Sequence, residues 1–115
     1  MRYLLLCVFV AGPALANPPD ITDVAARVAA DGWRFSVTIA HPDTGWDHYA
    51  YGWRIETEDG RVLGTRVLAH PHVNEQPFTR SLSGVEVPEG VGMVHLRTRS
   101  SVDGWNADAL AFDLP

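Results

Sequence analysis

The sequence contains no lysine, and its one cysteine, Cys7, lies close to the N-terminus. All nine basic residues are arginines and face fourteen carboxylates, which gives a formal net charge of -5. An acidic chain without a basic run excludes nucleic acid and anionic membrane surfaces as expected partners. Because no thiol follows Cys7, neither a disulfide framework nor a thiolate metal site is expected in the rest of the chain.

Long apolar runs are also missing, apart from a short one at the N-terminus. Residues 1–16 have the pattern of a signal peptide, with a positive start, an apolar run and a small-x-small cleavage site that ends at Ala16. We therefore predict export and a periplasmic or secreted location after cleavage near Ala16. The alternative, lipid attachment at Cys7, requires a longer apolar segment before the cysteine. No segment is long enough for a transmembrane helix.

Sustained helical periodicity is absent, and apolar residues instead alternate with polar ones in short runs. The remaining residues, 17–115, are enough for one domain. Seven segments have the pattern of strands: 21–29, 33–41, 48–57, 62–69, 78–85, 91–100 and 107–114. The alanines of the first segment are also compatible with a helical turn. Turn signals spaced as in known sandwiches predict an all-β fold, a seven-stranded antiparallel immunoglobulin- or fibronectin-III-like sandwich after the signal peptide.

The aromatic residues fall into two groups. Those at alternating strand positions are expected in the core, where each buries a large apolar area: Trp33, Phe35, Tyr51, Trp53 and Phe112. Trp46 and Trp105 lie in polar loops beside glycines, where they can wall a site, stack on a sugar or cap the end of the sandwich. Five arginines are expected on an outward sheet face, either paired with carboxylates or forming an anion-binding patch: Arg54, Arg66, Arg80, Arg97 and Arg99.

Four of the five histidines flank loops that the strand order places at one end of the sandwich. His41 and His48 flank the 42–47 loop, and His70 and His72 open the 70–77 loop. Because each strand reverses the direction of the strand before it, these two loops and the 101–106 loop are predicted to meet. Loops gathered in this way commonly carry binding groups. His95 lies apart, inside a strand.

This placement predicts a non-enzymatic protein that binds a metal ion through loop histidines. Residues two apart in an extended segment point the same way, so His70 and His72 can share an ion. Neutral imidazole suits copper(II) and zinc, and carboxylates can complete the ligand shell or orient the second ring nitrogen. The candidate ligands are His70, His72, His48, His41, Asp47 and Glu75, supplemented by Asp103. Each also has an ordinary interpretation as a hydrogen-bonding group of a loop.

Two other functions are compatible with the same residues. A metal-independent recognition module would hold another exported protein or a glycan, with Trp46, Trp105 and Arg80 as its binding residues. A metal-dependent hydrolase would need a general base such as Glu75 and an open coordination position. So small a chain has few residues to line a substrate pocket. No serine lies in the glycine-framed turn that presents a nucleophile. No catalytic residue is therefore assigned, and enzymatic activity is not expected.

Three segments carry a resemblance to known proteins: DTGWDHYA at 43–50, VLGTR at 62–66 and HPHVNEQPFTRSL at 70–82. With them the chain resembles a family of small exported bacterial β-sandwich proteins that have no assigned activity. The resemblance implies export and the sandwich fold, and it implies no catalytic role. A likeness to periplasmic copper-carrier sandwiches is an analogy of fold only, because Met93 is the one methionine beyond the signal peptide.

Overall fold

A computed structural model describes residues 18–115, and this part of the chain contains β-strands and no helix. The strands are β1 Asp20–Ala29, β2 Gly32–Ala40, β3 Ala50–Glu56, β4 Val62–Val67, β5 Phe78–Val85, β6 Met93–Ser100, β7 Gly104–Trp105 and β8 Leu110–Asp113. The predicted signal peptide, its cleavage site near Ala16 and Cys7 lie outside the described residues. Among residues 18–115, no helix suited to crossing a membrane is found.

Two antiparallel sheets pack into a sandwich, which confirms the predicted fold class. One sheet has the order β1-β2-β5, and the other has the order β4-β3-β6-β7, with β8 also paired to β6. The strand count is eight rather than seven, because the predicted 101–106 loop contains the short strand β7 and only β8 forms within the predicted strand 107–114, which leaves a gap at 106–109. In the gap, the Arg97 guanidinium donates to the carbonyls of Asn106 and Ala107 at 2.7 and 2.9 Å. These carbonyls therefore bond to a side chain instead of joining the β6 ladder.

The core follows the two-residue period of the strands. Phe35, Val37 and Ile39 of β2 are buried at alternate positions, and Trp53 and Ile55 of β3 face them from the other sheet. The predicted core positions of Trp33, Phe35, Trp53 and Phe112 are confirmed, the first and last as partly buried residues packed against the core. Alternation in β1 likewise gives a strand, so the helical-turn alternative is wrong.

A bulge in β3 overturns the predicted core position of Tyr51. Ala50 pairs with Ser100 and Gly52 pairs with Arg99, so Tyr51 is the extra residue of the bulge. A bulge shifts the alternation of faces by one position. The Tyr51 ring consequently lies on the outer face of the sheet, where the guanidinium carbon of Arg99 is 3.9 Å from its centroid.

Three loops meet at one end of the sandwich, as the strand order predicts. They join β2 to β3, β4 to β5 and β6 to β7, and we call this end the rim. The backbone N–H of Tyr49 donates to Ser101 Oγ at 3.0 Å, and the N–H of Ser101 donates to the Tyr49 carbonyl at 2.9 Å. The first of these loops is longer than predicted, because β3 begins at Ala50 and leaves His48 in the loop.

Candidate functional site

The rim is organised around one buried carboxylate, that of Asp43. Asp43 Oδ1 accepts hydrogen bonds from His41 Nδ1 at 2.5 Å and from the backbone N–H of Ala50 at 2.9 Å. Asp43 Oδ2 accepts from the backbone N–H of His72 at 2.8 Å. The carboxylate therefore joins the end of β2, the start of β3 and the loop between β4 and β5.

The Gln76 side chain connects the same loops through two further hydrogen bonds. Gln76 Oε1 accepts from the backbone N–H of His41 at 2.9 Å, and Gln76 Nε2 donates to the His72 carbonyl at 2.8 Å. We call His41, Asp43, His72 and Gln76 the rim network. Its hydrogen bonds satisfy backbone groups that would otherwise be buried without partners, which is a requirement for packing loops against one another.

His72 is buried against an aromatic ring and a guanidinium group. Its ring stacks on Phe78 with centroids 3.8 Å apart and planes 9° from parallel. Arg80 Nη2 lies 3.1 Å from His72 Nε2 and also donates to Glu75 Oε1 at 3.1 Å. Since a guanidinium can only donate, Nε2 accepts and the ring proton lies on Nδ1. Burial, followed by the charges of Arg80 and His70, lowers the pKa of His72.

The lowered pKa of His72 makes the stability of the fold pH-dependent. The folded state disfavours the imidazolium, so its stability is complete above the ordinary imidazole pKa of 6.5 and decreases as the pH falls below it. We expect thermal unfolding at pH 5 to begin at a lower temperature than at pH 7.5. In the His72→Gln variant, the difference in unfolding temperature between pH 7.5 and pH 5 should be smaller. An unchanged pH dependence in His72→Gln, with His95→Gln as the matched control, would show that another group causes it.

The four rim histidines form two ring pairs rather than one cluster. The ring centroids of His41 and His48 are 4.7 Å apart, and those of His70 and His72 are 4.6 Å apart. Within residues 18–115, no set of three or more His, Cys, Asp or Glu side chains is arranged to hold a metal ion.

The carboxylates predicted as metal ligands have protein partners. Asp47 accepts from Thr44 Oγ1 at 3.1 Å, and Glu75 pairs with Arg80. Asp43, which the sequence did not single out as a ligand, contacts two of the predicted histidine ligands. Its position directly after Pro42 at a strand end is the signal that marks it, because loop carboxylates there commonly accept backbone N–H groups.

A row of aromatic and arginine side chains runs from the rim down the outer face of the β4-β3-β6-β7 sheet. Trp46 meets Tyr49 edge-on at 5.5 Å between centroids, and Tyr49 meets Tyr51 at 5.9 Å. The Arg99 guanidinium lies over both Tyr51 and Trp105, at 3.9 and 4.6 Å from their centroids. The aromatic–arginine row consists of Trp46, Tyr49, Tyr51, Arg99, Trp105 and Arg54, whose guanidinium lies 4.1 Å from the Trp105 centroid.

The residues predicted for a recognition site separate in the structure. Trp46, 68% exposed in the first rim loop, and Trp105, which forms β7, are joined through the row. Arg80 lies elsewhere: it pairs with Val37, whose side chain is in the core, so Arg80 lies at the open edge between the sheets. Its predicted place on an outward sheet face is wrong, because Phe78, Arg80 and Leu82 occupy the inward positions of β5.

Because Gly52 has no side chain, the Arg99 side chain can lie over β3 within the row. A Cβ at residue 52 would lie 2.9 Å from Arg99 Nε and 3.0 Å from the Arg66 carbonyl oxygen. The glycine is therefore required for space, since Arg99 crosses directly over β3 at this position.

We expect Gly52→Ala to displace the Arg99 guanidinium and to lower the free energy of unfolding by about 1 kcal/mol, as overpacking does. Chemical denaturation measures the stability, and the near-ultraviolet circular dichroism of Tyr51 and Trp105 reports the displacement. Gly92→Ala is the matched control, because a Cβ there meets no atom within 4 Å. Equal spectra for the two variants would contradict the assigned role of Gly52.

At the end of the row away from the rim, Glu56 joins Arg54 to Arg97, an arginine of the same outer face. Its carboxylate accepts from Arg54 Nε at 2.6 Å and from Arg97 Nε and Nη2 at 2.9 and 3.1 Å. The hydrogen bond from Arg97 is the largest influence on Glu56 and lowers its pKa, in opposition to burial. Arg99 differs, because it forms no ion pair with any residue of the described chain.

The comparisons with known proteins give one similarity and two negative results. A protein of Halomicrobium mukohataei that carries the name "Putative lipoprotein" is 42% identical to this chain over 98 residues. The similar region covers 85% of this chain and 47% of that protein, so the chain spans about half the length of the curated relative. No family model matches the chain, and no solved structure is significantly similar to it.

Proposed function

We propose that this protein is an exported, metal-independent recognition module of the cell envelope that binds a glycan through the aromatic–arginine row. The observation that carries the proposal is the exposed ring of Trp46. Its contact with Tyr49, and the contact of Tyr49 with Tyr51, extend an aromatic surface from the rim onto a sheet face. Sugar C–H groups pack favourably on aromatic faces, because those faces carry partial negative charge. A rigid sandwich that presents such rings suits binding rather than catalysis.

Retardation of the protein in gels that contain soluble polysaccharides tests this function directly. We expect retardation by at least one polysaccharide from a panel of neutral and acidic polymers, and loss of most of it in Trp46→Ala. The matched control is Val28→Ala, an apolar residue of similar exposure at the other end of the sandwich. Migration that no polymer of the panel alters, or a Trp46→Ala variant retarded as strongly as the unmodified protein, would refute glycan binding through the row.

The name of the Halomicrobium relative supports export of this chain. Of the two processing routes, we propose cleavage after Ala16, which leaves a mature chain that begins at Asn17. The intact mass of the protein, expressed with its native N-terminus and recovered from the exported fraction, distinguishes the routes. The expected mass is that of residues 17–115. A mass that includes Cys7 with attached acyl chains would establish a lipid-anchored protein instead.

Metal binding at the rim is the second candidate function. Two buried imidazole nitrogens, His48 Nε2 and His72 Nδ1, have no hydrogen-bond partner within residues 18–115. Copper(II) or zinc would take the neutral form of either ring. The Arg80 guanidinium beside His72 Nε2 opposes an ion at that nitrogen, and His72 Nδ1 carries the ring proton while that hydrogen bond is present, so His48 Nε2 of the His41–His48 pair is the favoured ligand.

Calorimetric titration with copper(II) and with zinc tests the second candidate. This candidate predicts binding by the unmodified protein that is lost in His48→Ala and weakened in the double variant His70→Ala/His72→Ala. His95→Ala is the control, since His95 lies in β6 away from the rim. Heats that are equal in all variants, or absent from the unmodified protein at micromolar concentrations, would exclude this candidate.

A further inference from the structure

We infer that the glycan held by the aromatic–arginine row is an acidic one, a polymer of uronic acid units, and that Arg99 binds its carboxylate. This inference rests on the proposed glycan-binding function and specifies its ligand class. It starts from the charges on the outer sheet face. Arg54 and Arg97 share the Glu56 carboxylate, whereas Arg99 has no carboxylate partner in the described chain.

Arg99 is held in a fixed orientation without an anion. Its guanidinium lies over the rings of Tyr51 and Trp105, and the bare backbone at Gly52 lies beneath it. Its Nε is buried and has no hydrogen-bond partner within residues 18–115. A stacked guanidinium retains its in-plane N–H donors, and the two terminal Nη groups can donate to the two oxygens of a carboxylate while Nε stays buried. Little side-chain entropy remains to be lost when the anion binds.

The remaining part of the row suits a sugar ring attached to that carboxylate. Trp46 and Tyr49 lie on the rim side of Tyr51, and their successive ring contacts extend the surface on which the Arg99 guanidinium lies over Tyr51. A uronic acid unit presents C–H groups for an aromatic face and a carboxylate for an arginine. The two parts of the row therefore match the two kinds of group, C–H faces and carboxylates, that recur along a polymer of uronic acid units.

An acidic peptide fits the same surface less well. Extended peptides gain affinity mainly by pairing with a free strand edge or by filling an apolar groove. Tyr51, Arg54 and Arg99 lie on the central strands β3 and β6, whose backbone groups are already paired with neighbouring strands, and the edge strand β7 that carries Trp105 has only two residues. A peptide would therefore contribute side-chain contacts alone, whereas a glycan needs only the rings and the guanidinium.

Calorimetry with oligogalacturonate, oligomannuronate and the methyl ester of oligogalacturonate tests the inference. The ester keeps the sugar rings and removes the negative charge. We expect binding of at least one acidic oligomer, weakened at least about tenfold by Arg99→Gln and, for the galacturonate, by esterification. Arg34→Gln, which removes an arginine from the outer face of the other sheet, should bind like the unmodified protein. Added salt should weaken acidic binding, because the Arg99 contact is ionic.

Failure of this inference is distinguishable from failure of glycan binding. If neutral polymers or the ester bind as tightly as the acidic oligomers, or if Arg99→Gln binds normally, the row binds sugars but does not distinguish acidic from neutral ones. If no acidic oligomer binds, the inference is wrong, and the gel assay decides separately whether neutral glycans bind. Binding of a glutamate peptide in place of every oligomer would assign the row to a protein partner.

Discussion

Replacing Asp43 by alanine is expected to lower the free energy of unfolding by about 3 kcal/mol, because three donors lose their acceptor at once. Those donors are the backbone N–H groups of Ala50 and His72 and the Nδ1 of His41. All three are buried, so water cannot replace the carboxylate without opening the rim. For a domain of this size the loss corresponds to a decrease in melting temperature of about 15 °C.

Asp47→Ala is the matched control for this prediction. Asp47 belongs to the same loop, but it is exposed and accepts from the Thr44 hydroxyl. Its removal is expected to change the free energy of unfolding by less than about 0.5 kcal/mol. Denaturant titrations of both variants provide the comparison. If Asp43→Ala is as stable as Asp47→Ala, the rim loops are held together by contacts other than the carboxylate.

Glu56→Gln is expected to destabilise the fold by about 2 kcal/mol at neutral pH, because two half-buried guanidinium groups lose their counter-charge. The effect depends on pH with a definite sign. The pKa of Glu56 is lowered in the folded state, so its contribution is present above the ordinary carboxyl pKa of 4.5 and is lost as the pH falls through the folded value.

The stability difference between the unmodified protein and Glu56→Gln should therefore decrease in acid. Urea titrations at neutral pH and in the acidic range measure this difference, and Glu58→Gln, an exposed neighbour beyond the end of β3, serves as the control. A difference that is constant over the whole pH range would mean that the charge of Glu56 does not stabilise the fold.

The fold was predictable from the sequence to the level of its strands, and one strand, Phe78–Val85, has the predicted bounds. Alternation of apolar residues is a local signal and follows directly from the strand period. The bulge in β3 cannot be detected from this alternation, because the aromatic residues alternate in the sequence in the same way whether or not the strand contains an extra residue. Tyr51 was therefore assigned to the core, and the surface to which it belongs was not predicted.

The candidate site was predictable in position but not in organisation. Strand order correctly places His41, His48, His70 and His72 at one end, since alternate loops of an antiparallel sandwich share an end. How the side chains pair there depends on backbone contacts such as that between Asp43 Oδ2 and the His72 N–H. Sequence spacing carries no information about such long-range contacts, so Asp43 was not identified as the centre of the rim. That these histidines bind a metal stays a prediction.

Heteronuclear NMR during titration with an acidic oligomer that binds in calorimetry locates the bound ligand on the protein surface. We expect the indole N–H signals of Trp46 and Trp105 and the Nε–H signal of Arg99 to shift together and to saturate together. Signals of the loop between β4 and β5 should change little. Shifts confined to that loop, with the row unchanged at saturation, would contradict the assignment of the row as the binding surface.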